Sequence, residues 1–215
     1  MKIDKTNLIE FLQKRLLNDL PANKSHEKMF PIKDGSPFRQ SIPESTAKKS
    51  AVLLLLHTIK ETDSLSILFT LRSNKLKKHS NQISFPGGRL DKNESTQDAA
   101  LRETWEEVGI NPNKIDIIGE LTEIFVPPSN SIITPFIGFS NSEFELEINP
   151  SEVSEAFFTD LNEILNPDIK KTKKIDFKGI GTADVPFYDV HPTVPLWGAT
   201  AIILSEFIDI ASEFK

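Results

Sequence analysis

Residues 88–110, GRLDKNESTQDAALRETWEEVGI, carry the clearest structural signal in this chain. They predict a helix from about Thr96 to Val108 on their apolar periodicity. Ser95 is a good N-cap for this helix, because a serine side chain can accept a hydrogen bond from the first turn. Gly109 is a suitable residue to end it in the left-handed conformation. The stretch therefore predicts a capped helix that follows a polar loop.

Three glutamates lie on one face of the predicted helix. Glu103, Glu106 and Glu107 are spaced i, i+3 and i+4, so their carboxylates are neighbours. Like charges at i, i+4 cost roughly 0.2–0.5 kcal/mol per pair, and negative charge near a helix C-terminus is also unfavourable. Three carboxylates around a small space suit hard cations such as Mg²⁺ or Mn²⁺. Taken alone, the three glutamates are more typical of a solvated acidic face, and it is the residues around them that favour a metal site.

The other face of this helix is predicted to pack against a sheet. Leu101, Trp105 and Val108 supply its large apolar side chains. Ala99 and Ala100 lie close to the glutamates, where their small side chains would leave room for a ligand.

Outside this helix the hydrophobic pattern predicts a mixed α/β domain. Short apolar segments bounded by polar turns, Pro or Gly predict strands at 51–57, 65–71, 82–85, 115–124, 132–139 and 156–159. A closing helix is predicted over 196–214. The charged run 170–174 is interpreted as a solvated loop.

The N-terminal part of the chain is predicted to differ from the rest. Apolar residues from Leu8 to Leu17 recur at helical spacing, which predicts an amphipathic helix. From Pro21 to Ser50 prolines interrupt any periodicity, and we interpret this segment as an extended arm over the domain surface. The predicted division is an N-terminal helix and arm, residues 1–48, followed by a domain of residues 49–215.

Composition limits the classes of function. The net charge of −6 argues against a broad nucleic-acid interface, so no nucleic-acid partner is predicted. The absence of cysteine excludes disulfides, thiolate chemistry and zinc–cysteine sites. No segment reaches the roughly 20 apolar residues of a membrane span, and the N-terminus lacks a signal-peptide pattern. We therefore predict a soluble, cytoplasmic protein with no membrane partner.

The quoted stretch resembles the Nudix box, in which Gly and Glu precede the pattern Arg-Glu-apolar-x-Glu-Glu-x-Gly-apolar at fixed spacing. The residues in register with it are Gly88, Glu94, Arg102, Glu103, Glu106, Glu107, Gly109 and Ile110. Thr104 departs from the pattern, because it occupies an apolar position, but its methyl group still suits a packed side. The resemblance implies a Nudix-type α/β/α sandwich with a mixed sheet and a loop–helix–loop catalytic motif.

The resemblance also implies a metal site. Glu103 and Glu107 would be the main ligands of Mg²⁺ or Mn²⁺. Glu106 would be a third ligand or would act through water, and the backbone carbonyl of Gly88 would complete the set. Metal ions in such a site neutralise pyrophosphate charge and lower the pKa of bound water.

Further roles follow from the same resemblance. Arg102 would orient the carboxylates, and Glu94 would hold the loop against the helix. Glu106, Arg102 and Glu94 are accordingly the predicted catalytic residues. The general base stays open among Glu106, Glu123, Glu152 and Glu155.

The sequence before the box resembles the coenzyme A pyrophosphatase branch of this family. Residues 68–73 read LFTLRS and residues 76–88 read LKKHSNQISFPGG. The branch usually has Gly where Asn81 stands, and Asn is the next most tolerant residue of a left-handed backbone. Segments 127–130, 134–138 and 195–201 also resemble this branch. It implies hydrolysis of coenzyme A or acyl-CoA to 3′-phosphoadenosine 5′-phosphate and (acyl-)phosphopantetheine.

Basic residues just before the box support this branch. Arg72, Lys77 and His79 are the candidate substrate-binding residues, with Lys75 and Lys78 beside them. Coenzyme A carries a 3′-phosphate as well as a pyrophosphate, and Lys or Arg would pair with it. An ordinary polar loop is the alternative. The predicted partner is a small nucleotide, coenzyme A or a derivative, and a homodimer is also considered.

Three alternatives stay open. The chain could be a Nudix pyrophosphatase for ADP-ribose or another nucleoside diphosphate derivative. It could be a non-catalytic nucleotide-binding Nudix domain, although the complete set of glutamates argues against this. The N-terminal arm could make it an interaction protein that also hydrolyses. Tyr188 and Trp197 could stack on adenine, but core or loop-anchor roles are favoured, and His191 is interpreted as a loop residue.

Overall fold

In a computed structural model of the protein, residues 4–38, 46–60, 62–75, 80–177 and 181–214 are described. Their helices are α1 (Lys5–Arg15), α2 (Asn23–His26), α3 (Thr96–Val108), α4 (Leu161–Ile164) and α5 (Ala199–Ala211). Their first strands are β1 (Ile32–Lys33), β2 (Ser36–Pro37), β3 (Lys48–Ile59), β4 (Ser64–Arg72), β5 (Ile83–Ser84) and β6 (Gly87–Arg89). The later strands are β7 (Asp116–Glu120), β8 (Ile124–Val126), β9 (Ser131–Ser140), β10 (Val153–Asp160), β11 (Lys170–Phe177) and β12 (Gly181–Tyr188).

The main sheet is mixed and eight-stranded. Its central order is β10-β4-β3-β9-β7, with β5 paired to β4, β6 to β3 and β8 to β9. β3 and β9 run parallel, whereas β3 and β4 are antiparallel. β3 and β4 pair where β3 ends and β4 begins. At their other ends β6 pairs with β3 and β5 with β4, so the two short strands lie in the gap between them.

Helices cover both faces of this sheet. Leu54 and Leu56 of β3 belong to an apolar cluster that includes residues of α1 and α5. Leu53 and Leu55 point to the opposite face and join a second cluster with residues of α3, because side chains alternate along a strand. This arrangement confirms the predicted α/β/α sandwich.

The N-terminal segment packs on the C-terminal helix. Leu8, Leu12 and Met29 are buried in the same cluster as α5. Residues 23–29, predicted as part of an extended arm, form α2 and a short 3-10 turn instead. β1 and β2 add to β12 and β11 in a second, four-stranded sheet. The boundary between residues 1–48 and 49–215 stays a prediction.

A buried carboxylate on α5 connects that helix with the N-terminal segment and with the loop after β7. Glu206 of α5 is fully buried and accepts hydrogen bonds from the backbone N–H groups of Ala22 and Thr122, at 2.8 and 3.0 Å. The Thr122 hydroxyl and His26 Nε2 also contact it, at 2.7 and 3.3 Å. Burial alone would raise the pKa of Glu206, but these hydrogen bonds outweigh it and lower the pKa below its usual range. The N-terminal segment is thereby tied to α5 and to the loop after β7.

The prediction that the charged segment 170–174 forms a solvated loop is wrong. This segment forms the first half of β11, which pairs along its whole length with β12. Burial alternates along the second half of this strand: Lys173, Ile175 and Phe177 are partly buried, and the residues between them are exposed. The four lysines of the strand make this alternation difficult to recognise in the sequence. The lysines therefore predicted a solvent-exposed loop, whereas every second side chain from Lys173 to Phe177 is partly buried.

Smaller differences lie at element boundaries. The predicted strand 115–124 is interrupted between β7 and β8. The closing helix begins later than predicted, because Gly198 has a φ of 70° and precedes Ala199, the first helical residue. Within the described ranges, no helix combines the length and the apolarity needed to cross a membrane.

Candidate metal centre

The capping residues of α3 match their predicted roles. Ser95 Oγ accepts a hydrogen bond from the Asp98 N–H at 3.1 Å. Gly109 ends the helix with a φ of 77°, in the left-handed region. The first and last turns of α3 are therefore fixed by local interactions.

The face of α3 that meets the sheet agrees only in part with the prediction. Val108 is buried in the cluster on this side of the sheet, and Leu101 packs against that cluster. The buried residues of α3 are Ala99, Ala100, Thr104, Glu107 and Val108. The prediction that Trp105 packs against the sheet is wrong, since its side chain is 56% exposed. The small alanines allow the helix to approach β3 and β6 closely. Glu107 and, in part, Glu103 thus lie on the inner side of α3, whereas Glu106 is exposed.

The structure brings three carboxylates together at this interface. Oxygen atoms of Glu103, Glu107 and Glu152 all lie within 4.8 Å of one another. Glu152 comes from the segment just before β10, and its carbonyl accepts a hydrogen bond of 2.8 Å from the N–H of Ser73 after β4. Glu106 is outside this group and half exposed, with its carboxylate 3.0 Å from Arg102 NH1.

Burial makes the negative charge of this group costly. Glu107 is 1% exposed, and burial raises its pKa to about 8, with Glu103 and Glu152 adding to the shift. Arg72 NH1 and the Gly87 N–H oppose this shift, but they lie 3.4 and 3.3 Å away. Such contacts are longer than the 2.7–2.9 Å typical of charge-assisted hydrogen bonds. Burial also raises the pKa of Glu103.

The geometry around Gly88 leaves the carboxylate of Glu103 directly against the glycine. A Cβ atom placed on Gly88 would overlap the Cδ and both oxygens of Glu103. The pair of glycines in β6 therefore lets the helix and the loop approach until the carboxylate reaches the backbone. Clustered, poorly compensated carboxylates of this kind fit hard cations such as Mg²⁺ and Mn²⁺, which take oxygen ligands.

Arg102 connects the box loop to the helix. Its Nε and NH2 atoms donate to the two carboxylate oxygens of Glu94, at 2.7 and 3.0 Å. NH2 also donates to the carbonyl of Arg89 at 3.0 Å, and NH1 lies 3.1 Å from Glu103. The hydrogen bond from Arg102 lowers the pKa of Glu94 and keeps it charged. This geometry agrees with an orienting role for Arg102 and a bracing role for Glu94, both of which stay predictions.

The remaining candidate residues are distributed unevenly. Arg72, at the end of β4, reaches the carboxylate group, whereas Lys77 and His79 lie outside the described residues. Glu123 accepts a hydrogen bond from Thr134 and Glu155 contacts His191, and both glutamates are largely exposed. Neither of them belongs to the three-carboxylate group.

The sequence indicated the backbone conformation of Asn81 but not the position of Glu152. Asn81 has a φ of 55°, so it adopts the left-handed conformation expected where the branch usually has Gly. The sequence presents Glu152 only as one of four candidate general bases. No local pattern marks it as a neighbour of Glu103, because the pairing of β10 with β4 places it there.

A Gly88→Ala variant is expected to keep its fold but to lose metal affinity and kcat/KM by about 10- to 100-fold. The new methyl group would displace the Glu103 carboxylate, while the backbone of Gly88 needs no positive φ. Metal titration and thermal unfolding without metal would measure the two effects. Lys92→Ala, an exposed change in the same loop, is the control. Wild-type metal affinity in Gly88→Ala would show that this close approach is unimportant.

The sandwich, the capped helix and the buried carboxylates together define a class of hydrolase. The NUDIX domain family matches residues 48–178 of the chain. Nudix hydrolase 3 of Caenorhabditis elegans is 30% identical over 178 residues, which cover 74% of this chain and 72% of that protein. The chain belongs to the Nudix family.

Other comparisons agree at different levels of detail. The peroxisomal coenzyme A diphosphatase of Mus musculus is 36% identical over 116 residues, or 54% of this chain. That match spans 49% of the mouse protein, about half of its length. The crystal structure of the Nudix hydrolase RenU from M. smegmatis superposes with a TM-score of 0.54 at 15% identity, covering 87% of this chain and 95% of that one. This structural likeness shows the fold alone.

Proposed function

We propose that this protein hydrolyses the pyrophosphate of coenzyme A or acyl-CoA to 3′-phosphoadenosine 5′-phosphate and (acyl-)phosphopantetheine. The observation that carries the hydrolytic part is the carboxylate group of Glu103, Glu107 and Glu152 beside a glycine loop. The substrate rests on the segment 68–88, which resembles the coenzyme A branch, and on the similarity to the mouse diphosphatase.

Glu103 and Glu107 would hold Mg²⁺ or Mn²⁺ in this mechanism, the Gly88 carbonyl stays a predicted further ligand, and the carboxylate of Glu152 faces them from the segment before β10. A bound divalent cation neutralises pyrophosphate charge and lowers the pKa of water. The chain itself supplies the positioning. Arg102 and Glu94 fix the loop against α3, so that the glycines and the carboxylates keep their spacing.

Two further groups would act on the substrate. Arg72 NH1 is 3.4 Å from Glu107, and a partly exposed guanidinium at that position can turn to a phosphate oxygen. Glu152 is our favoured general base, because it enters the group from another element and its position does not depend on α3. Glu106, the candidate base within the box, accepts a hydrogen bond from Arg102 and stays an alternative.

A substrate panel tests the proposed function directly. Coenzyme A, acyl-CoA, ADP-ribose, dinucleotides and nucleoside triphosphates should be compared with Mg²⁺ and with Mn²⁺. We expect the highest kcat/KM for coenzyme A or an acyl-CoA. A preference for ADP-ribose would contradict the substrate assignment and leave the hydrolase class intact.

Lys77→Ala is expected to weaken the use of coenzyme A and to spare dephospho-coenzyme A. The two substrates share the pyrophosphate, the base and the pantetheine, so the metal chemistry cancels in the comparison. Loss of a charge-assisted contact to the 3′-phosphate is worth roughly 1.5–3 kcal/mol, or about 10- to 150-fold in kcat/KM. Solvent exposure would move the effect towards the lower end. The prediction rests on sequence, because Lys77 lies outside the described residues.

Salt provides a second measurement of the same contact. Higher ionic strength should narrow the wild-type preference for coenzyme A over dephospho-coenzyme A, because screening acts on the additional phosphate. Equal losses on both substrates in Lys77→Ala would assign Lys77 to the shared part of the molecule or to the loop itself.

A cytoplasmic location and a homodimer stay predictions. Removal of residues 1–48 would test whether the N-terminal arm mediates association. That truncation would also remove Leu8, Leu12 and Met29 from the core and leave Glu206 with fewer partners. The oligomeric state is therefore better measured on the full chain, by elution volume at several concentrations.

A further inference from the structure

The hairpin of β11 and β12 carries a cation between aromatic rings. Lys173 Nζ lies 5.8 Å from the ring centroid of Phe187 and 5.8 Å from that of Trp197. Phe177 meets the same Trp197 ring edge-on, with centroids 6.4 Å apart. All four side chains are partly exposed. They form a small aromatic platform, with the ammonium group of Lys173 over the rings of Phe187 and Trp197.

Lys173 differs from the other lysines of its strand. Lys171 forms an ion pair with Asp189, and Lys174 is exposed on the opposite face. Lys173 makes no carboxylate ion pair within the described part of the chain. A half-buried ammonium whose partners are rings rather than carboxylates still has capacity for an anion.

The platform adjoins the strands that carry the candidate metal centre. Trp197 precedes Gly198, the residue before α5, and the hydroxyl of Thr200 in the first turn of α5 donates to the Ile83 carbonyl at 3.3 Å. Ile83 in β5 pairs with Leu71, the neighbour of Arg72, and Arg72 contacts Glu107. A long substrate whose pyrophosphate lies at the carboxylates could therefore extend towards this platform.

The loop between β12 and Trp197 is held in place by His191. His191 Nδ1 accepts hydrogen bonds from the N–H groups of Thr193 and Val194, at 3.3 and 3.1 Å. Its Nε2 lies 3.3 Å from a carboxylate oxygen of Glu155 on β10, the strand that begins next to Glu152. The loop that leads to Trp197 is thus held against strands on which the centre is built.

We propose that Trp197, Phe177, Phe187 and Lys173 form a binding subsite for the nucleotide half of the substrate. The purine base would stack on Trp197, because every base presents a flat face to an aromatic ring. Lys173 would pair with a phosphate on the ribose. A phosphomonoester carries about two negative charges near neutral pH, so it would form a charge-assisted hydrogen bond with the ammonium group of Lys173. This inference rests on the proposed function, since it assigns a part of the same substrate.

Intrinsic fluorescence tests the subsite without catalysis. The chain has two tryptophans, so Trp105→Phe leaves Trp197 as the sole reporter. The probe is 3′-phosphoadenosine 5′-phosphate, which contains no pyrophosphate, titrated in the presence of chelator. We expect a saturable change in Trp197 emission. Lys173→Met in the same background should weaken binding about tenfold, as loss of a partly exposed charge-assisted contact implies.

Lys174→Met is the matched control, because it removes the same charge one residue away on the exposed face. It should leave the titration unchanged. No change in Trp197 emission, or equal affinities in Lys173→Met and its parent, would overturn the subsite. Hydrolysis of coenzyme A without a change in Trp197 emission would contradict the subsite and leave the proposed function intact. Preference for ADP-ribose together with a Lys173-dependent response would remove the proposed substrate and keep the subsite.

Discussion

Glu107→Gln is expected to lower turnover by at least about 100-fold, the upper end of what even residues behind metal ligands cost. Glu107 is the most deeply buried member of the carboxylate group, and the amide would keep its shape without its charge. Activity should be measured at saturating Mg²⁺ and Mn²⁺, with unfolding followed on the same preparation. Full activity in this variant would remove Glu107 from the ligand set.

The same substitution should stabilise the protein in the absence of metal. Burial raises the pKa of Glu107 from 4.5 to about 8, so the folded state keeps a proton that the unfolded chain has lost between these values. Wild-type stability should then fall as pH rises through this window. A glutamine does not ionise. The gain in free energy of unfolding should be small near pH 4.5 and on the order of 1–3 kcal/mol at pH 7, and it should level off above pH 8.

Glu106→Gln is the matched control for stability. Glu106 is on the same helix, but it is half exposed and paired with Arg102, a contact worth at most about 1 kcal/mol. Its metal-free unfolding should follow the wild type across the same pH range. A stability difference for Glu107→Gln that does not change with pH would contradict the buried-charge explanation.

Removal of divalent cations is expected to bring hydrolysis to background. Mg²⁺ or Mn²⁺ should restore it, whereas Ca²⁺ should bind with poor turnover because its coordination is looser and more variable. Undiminished hydrolysis in excess chelator would exclude a metal-dependent mechanism.

Thermal unfolding supplies a measurement of metal binding that does not depend on turnover. A ligand at 100 times its Kd stabilises the folded state by about 2.7 kcal/mol when the unfolded chain does not bind it. Mg²⁺ or Mn²⁺ should raise the Tm of the wild type and of Lys174→Met. The shift should be much smaller in Glu107→Gln. Equal shifts in all three proteins would place the bound cation elsewhere.

Local signals explain why much of α3 could be predicted. Ser95 and Gly109 end the helix through contacts within a few residues, so its bounds follow from sequence. The spacing of Glu103 and Glu107 puts them on one face for the same reason. The apolar runs of β3, β4 and β9 likewise indicated buried strands, because helices cover both faces of the sheet.

Errors occurred where a local pattern competed with distant contacts. The apolar pattern placed Trp105 inward, but the short side chains of Ala99 and Ala100 face the sheet and Trp105 is exposed. The lysines at 170–174 indicated solvent, but pairing with β12 makes them part of a strand. In both cases the packing depends on contacts with residues far away in the chain, which no short segment of sequence contains.

The sequence sufficed for the capped helix, its glutamates and the Nudix box, because helix ends and helix faces depend on residues within a few positions of one another. The make-up of the carboxylate group did not follow from it. The pairing of β10 with β4 brings Glu152 to Glu103 and Glu107, whereas Glu106 is half exposed and lies outside the group. Strand pairing and the depth at which α3 packs are long-range properties, and they alone determine which of several nearby acids share one small, buried space.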